Sequence, residues 1–192
     1  MTARAFLPKT LDLLPAELPI FPLTGALLLP MGHLPLNIFE PRYIAMVTDA
    51  MRTPQRLIGM VQSSDQAQSM GEAPVHGMGC AGRISAFSEN DEGTILITLT
   101  GVCRFAVDQE IASMRGYRRV IADWNPFEGD LAADCEADLD RPLLVSRLKR
   151  YFDAQGITAD WGVIEETPDD RLVTTLAMVC PFESSEKQAL LE

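Results

Sequence analysis

The segment that most constrains this chain runs from Leu18 to Tyr43, LPIFPLTGALLLPMGHLPLNIFEPRY, in which five prolines divide short apolar stretches. Each proline lacks an amide donor, fixes its own φ and pushes the preceding residue toward extended geometry. Strands that contain Pro19, Pro22, Pro30 and Pro35 must therefore be short, bent or at a sheet edge. A regular flat sheet does not fit this segment.

Glycine and proline go on punctuating short β-branched and aromatic runs up to about Val120, a β-rich pattern. One helix interrupts it: Pro41 suits a first-turn position, and Tyr43, Ile44, Val47 and Met51 recur at helical spacing until Thr53-Pro54. Arg56 to Gln62 reads as the next strand, followed by a polar loop from Ser63 to Pro74. Gly79 to Ser88 and Thr94 to Val107 read as two long strands joined by an acidic turn from Glu89 to Gly93. In TILITLT, Ile95, Ile97 and Leu99 fall on one face and Thr94, Leu96, Thr98 and Thr100 on the other, the period of a half-buried strand. Gly101 then predicts a bulge or bend, and Tyr117 to Trp124 adds a strand. Strands bent this often favour a small barrel over an open sheet.

The composition changes at Glu128. Through Asp140 the sequence EGDLAADCEADLD carries six acids and no base, which reads as a linker or helix approach without the central glycine of a calcium loop. The period then becomes helical. Leu144, Leu148, Tyr151 and Phe152 share a face, with Pro142 near the start and Gly156 suited to the left-handed end. A second helix is expected from Thr167 as cap and Pro168 in the first turn, with Leu172, Val173, Leu176, Ala177 and Cys180 as its buried stripe. Ser184 or Ser185 is the expected cap of a final helix. The fold class is α+β: a bent β-barrel with one covering helix over 1–127, then an acidic linker and helical lobe over 128–192.

Charge narrows the function. The 192 residues carry a net charge of −11, which repels phosphate backbones, and the basic stretches Arg115 to Arg119 and Arg147 to Arg150 read as solvated faces. Nucleic acid is therefore not an expected partner. No apolar run approaches the roughly 18 residues of a membrane span, and the proline- and acid-broken N-terminus does not read as a secretion signal. A cytoplasmic protein is expected. Cys80, Cys103, Cys135 and Cys180 stand far apart and read as buried reduced thiols.

Catalytic machinery is hard to find. There is no phosphate-binding Gly-x-x-x-x-Gly-Lys loop. His33 and His76 lie in different loops, and Ser184-Ser185-Glu186-Lys187 reads as a helix start rather than a Ser–Lys pair. Glu40 and Arg42 flank Pro41 as a local charge pair. No catalytic residue, cofactor or metal is predicted. A binding role needs exposed apolar surface or an open sheet edge, and Phe21, Met31, Leu34 and Phe39 are the candidates to line a groove for extended polypeptide; the alternative is that they fill the core. Met60, Met70 and Met78 add adaptable contact residues on the same two readings.

Taken in order, several pieces resemble the LON N-terminal (substrate-binding) domain. They are Leu18-Pro19-Ile20-Phe21-Pro22-Leu23, Leu28-Leu29-Pro30-x-Gly32-x-Leu34-Pro35-Leu36, Ile38-Phe39-Glu40-Pro41-Arg42-Tyr43 and Ile58-Gly59-Met60-Val61-Gln62, then Gly79-x-x-Gly82-Arg83-Ile84, Leu99-x-Gly101-x-x-Arg104-Phe105 and Glu186-Lys187-Gln188. The Ile38–Tyr43 form is similar to free-standing bacterial LON-domain proteins. The resemblance implies a PUA-like barrel with a helical lobe and a non-catalytic module for unfolded or exposed hydrophobic polypeptide, linked to ATP-dependent proteolysis, with a protease or chaperone as partner. The alternative it leaves is a small-molecule or RNA-binding PUA-like module.

Overall fold

Residues 7–63, 73–90, 93–132 and 139–192 are described by a computed structural model. Among the described residues six strands form one sheet: β1 (Glu17–Pro22), β2 (His33–Ile38), β3 (Leu57–Ser63), β4 (Val75–Glu89), β5 (Ile95–Met114) and β6 (Tyr117–Asp123). Hydrogen-bonded neighbours run β2-β5-β4-β3-β1-β6, and β5 also pairs with β6, so the sheet closes on itself. Only the β1–β3 pair is parallel among these.

β5 makes the closure possible. Its 20 residues pair with β2 over Ile95–Thr100 and with β6 over Ala106–Met114, while β4 runs along much of its other side. Register shifts at Ala81/Gly82 and Ile84/Ala86 bend the β4–β5 ribbon, so one strand serves both the barrel and an extension that carries β2. Gly101 lies at the first of these shifts, as its sequence position predicts.

Strand alternation divides the core in two. Leu57 and Val61 join Leu18, Ile20, Phe105 and Val120 inside the barrel, whereas Ile58 and Met60 face the opposite way with Ile84, Ile97 and Leu99. α1 (Pro41–Met51) covers that second face with Tyr43, Met46, Val47 and Ala50. The stripe is therefore centred on Met46 and Ala50, while Ile44 and Met51 stay half-buried at its margin. Inside the barrel the fully buried Phe105 ring dictates two glycines. A Cβ on Gly59 or Gly79 would lie 2.8 or 2.7 Å from that ring, closer than packed atoms tolerate.

Among the described residues four helices follow: α2 (Arg141–Gln155), α3 (Trp161–Glu166), α4 (Asp169–Val179) and α5 (Ser184–Leu191). Asp140 caps α2 by accepting from the Leu143 amide, and Gly156 ends it in the left-handed region at φ 66°. The short α3 is absent from the sequence reading, because six residues capped by Asp160 are too few to show a helical period. Its presence changes the next cap. The Thr167 hydroxyl donates back to the Val163 carbonyl, and Pro168 rather than Thr167 occupies the N-cap of α4. Leu172, Ala177 and Cys180 are buried as the stripe predicts, but Val173 is exposed. Glu183, not a serine, caps α5 through a reciprocal box with Glu186.

The acidic stretch is also more structured at its start than a linker. Residues Asn125–Leu131 form a 3-10 helix against the barrel, so the 127/128 division falls inside it, while 133–138, including Cys135, lie outside the described residues. Residues 64–72 of the polar loop, with Met70, lie outside them as well.

Candidate polypeptide-binding surface

β2 is the end strand of the sheet. Its register with β5 runs from His33 opposite Thr100 to Ile38 opposite Ile95, and among the described residues its other side pairs with no strand. An open edge offers main-chain groups to an added strand. Pro35 sits in the middle of this edge and removes one donor, which limits edge-to-edge association between copies.

Alternation along β2 turns Leu34, Leu36 and Ile38 toward the α1 core and leaves His33, Pro35 and Asn37 exposed. Across the extension Pro35, Thr98 and Ala86 share one row, and Asn37, Leu96 and Ser88 the next. These six residues, with Leu36, Ile97 and Phe87, line a shallow depression of about 470 Å³. At the same end of the sheet three large apolar side chains reach solvent: Phe39 is 67% exposed, Leu96 50% and Phe87 45%. Phe39 follows directly on Ile38, the last paired residue of β2.

The four sequence candidates do not form one groove. Phe21 is 7% exposed and packs on Tyr43 with ring centroids 4.1 Å apart, so it belongs to the core. Leu34 is half-buried against the same core. Met31, exposed at φ 64°, sits at the opposite end of β2 from Phe39. There it helps line a separate cleft of about 350 Å³ with His33 and with Met178 and Val179 of α4. Of the four, Phe39 alone is exposed at the depression's end of the sheet, though it does not line the depression. Leu96 and Phe87 are not among the sequence candidates, although the alternation in TILITLT places Leu96 on the non-core face.

Other groups are engaged in holding the fold. Arg104 donates from Nε and Nη2 to the two carboxylate oxygens of Asp130 at 3.0 and 2.9 Å, and from Nη1 to the Leu191 carbonyl. That pairing raises its pKa. Lys187 Nζ donates to the Gly25 carbonyl at 2.8 Å. Gln62 accepts from the Gly25 amide and donates to the Ser184 carbonyl and to Gln188. The Glu186-Lys187-Gln188 segment thus docks α5 on the barrel. Nor are the RGYRR arginines a free basic face. Arg115 donates to Asp49, Arg119 to Glu17, and the buried Arg118 to both Glu110 oxygens. Glu40 and Arg42 pair locally at 2.9 Å, as their spacing predicts.

The three described cysteines are not poised as nucleophiles. Burial pushes the Cys103 thiol up to about 12 and raises Cys80 and Cys180, the reverse of an activated thiolate. His33 Nδ1 lies 3.1 Å from the Thr100 hydroxyl. Among the described residues no group of three His, Cys, Asp or Glu is placed to hold a metal ion. No helix there is long and apolar enough to cross a membrane.

The family description "ATP-dependent protease La (LON) substrate-binding domain" matches residues 17–192. The chain belongs to the LON substrate-binding domain family. A LON N-terminal domain protein from Xanthomonas campestris superposes with a TM-score of 0.58 at 26% identity, covering 92% of this chain and 89% of that one. The N-terminal domain of the Mycobacterium avium complex Lon protease shares the fold, with a TM-score of 0.60 at 14% identity over 91% and 89% of the two chains. Lon protease 2 of Myxococcus xanthus is 31% identical over 94 residues, and the Lon protease of Flavobacterium johnsoniae 24% identical over 140. Those stretches are 49% and 71% of this chain but only 11% and 17% of the proteases. The match is thus to the substrate-binding part of the LON architecture. It accounts for the signature residues as structure: Gly59 and Gly79 make room for Phe105, Arg104 fixes Asp130, and Lys187 and Gln188 fix α5.

Proposed function

We propose that this LON-family chain is a non-catalytic module that recognises unfolded or exposed hydrophobic polypeptide segments and serves proteolytic quality control. The observation that carries the reading is the edge of β2, unpaired among the described residues, at the end of the sheet where Phe39, Phe87 and Leu96 are exposed. An extended segment added along that edge gains main-chain hydrogen bonds, and its alternate side chains meet the depression around Leu96. A folded protein keeps most of its backbone paired and most of its apolar stretches buried. The family relationship supports the same reading, since the matched part is the substrate-binding domain. The RNA-binding alternative is disfavoured by the net charge of −11 and by the carboxylate partners of Arg115, Arg118 and Arg119.

Titration with a labelled, permanently unfolded polypeptide and with its folded counterpart tests the proposal. Binding is expected for the unfolded form only, and the double variant Phe39→Ser, Leu96→Ser is expected to weaken it about tenfold or more through lost apolar contact. Equal binding of the folded form, or a double variant as tight as the parent, sinks the proposal.

A further inference from the structure

The rim of the β2 surface is electrically one-sided. Glu89 of β4 occupies the same register row as Ile95 of β5 and Ile38 of β2, two strand spacings or ~10 Å from the β2 edge, and is exposed. Glu40 is balanced by Arg42, so among the described residues Glu89 sets the sign at the apolar end. At the other end of β2, His33, Thr100 and Arg83 share a row, with Arg56 close enough to Arg83 to lower its pKa after desolvation. Five residues of strand separate the two rows, ~17 Å, about twice the screening length in physiological salt. The basic row therefore does not neutralise the apolar end.

The rest of the molecule reinforces that sign. Seven arginines, Arg42, Arg52, Arg104, Arg115, Arg118, Arg119 and Arg141, are held by carboxylates, and acids exceed bases by 27 to 16. An incoming chain thus meets an anionic molecule whose exposed apolar patch ends on a carboxylate.

Resting on the binding reading above, we propose that the segment taken up at the Phe39 end of β2 is an apolar stretch flanked by lysine or arginine. A cationic flank gains attraction from Glu89 and from the net field. An acidic flank meets repulsion at the same point.

Three labelled peptides that share one extended apolar stretch, with Lys, neutral or Glu flanks, separate the two readings. Binding of the neutral peptide, lost in the Phe39→Ser, Leu96→Ser variant, reports the surface itself. The Lys-flanked peptide is expected to bind about tenfold tighter than the Glu-flanked one, ~1.4 kcal/mol, with the gap shrinking as salt rises. Glu89→Lys is expected to close most of the gap, while Glu165→Lys, an equal charge change on exposed α3, leaves it open. Equal affinity of the Lys and Glu peptides, or a gap indifferent to salt or to Glu89→Lys, overturns the charge preference while leaving the surface standing. Binding of none of the three overturns both.

Discussion

Gly101 shows how much of the architecture rests on single atoms. A Cβ there would lie 1.9 Å from the Leu29 carbonyl oxygen and 2.8 Å from its carbon, and both are backbone atoms that cannot rotate away. The same glycine receives the Met31 amide and donates to the Gly32 carbonyl, holding the turn that leads into β2. Gly101→Ala is therefore expected to cost about 3 kcal/mol through forced displacement of that turn, read as a lower denaturant midpoint at unchanged slope. A midpoint within error of the parent would show that the turn yields easily. At this scale the sequence was informative about why a glycine was needed, as a bend, but silent on the closer reason. The Leu29 carbonyl is 72 residues away in sequence and meets Gly101 only in the fold.

Among the elements, one side chain reaches both the Asn125–Leu131 helix and the end of α5, in addition to the Lys187 and Gln62 contacts of α5. Arg104 spans Asp130 and the Leu191 carbonyl, and its guanidinium lies 5.0 Å from the Phe127 ring. Arg104→Ala strands a largely buried carboxylate and frees the end of α5, with an expected loss of ~2 kcal/mol for this partly exposed pair. Arg104→Lys is expected to recover only part of it, since an ammonium cannot reproduce the two-pronged contact. Thermal or denaturant midpoints of the three proteins check this, and full recovery by lysine would refute the geometric argument. The long strands and α1 were legible because their periods are long enough to be seen. α3 was not, and the caps of α4 and α5 were assigned to the wrong residues. Thr167 has the right chemistry for a cap, but the Val163 carbonyl of α3 competes for its hydroxyl; Glu183 wins over Ser184 because Glu186 can reciprocate.

The fold favours the neutral forms of its buried thiols and of Tyr117, and this gives it a direction of pH response. Burial raises Cys103 from 9.0 to about 12, and burial with a hydrogen bond to Asp49 raises Tyr117 from 10.0 to about 12. The unfolded chain loses these protons first, so it binds fewer protons than the folded one in that window. The contribution of these two groups is then full below pH 9.0 and is lost from there toward about 12. Denaturant midpoints measured across this range are expected to decline, less steeply in Tyr117→Phe; a flat profile would contradict the burial of both groups. The sequence by itself determined the β-rich front, the bends at its prolines and glycines, the covering helix and the LON family, because these follow from local backbone chemistry and ordered motifs. Only the tertiary structure decided which apolar residues meet solvent. Phe21 and Phe39 have equal hydrophobicity within the same proline-rich run. One is enclosed by Tyr43 of α1, while the other stands beyond the last paired residue of an edge strand, and that difference depends on partners distant in sequence, which a local reading of the Leu18–Tyr43 run does not contain.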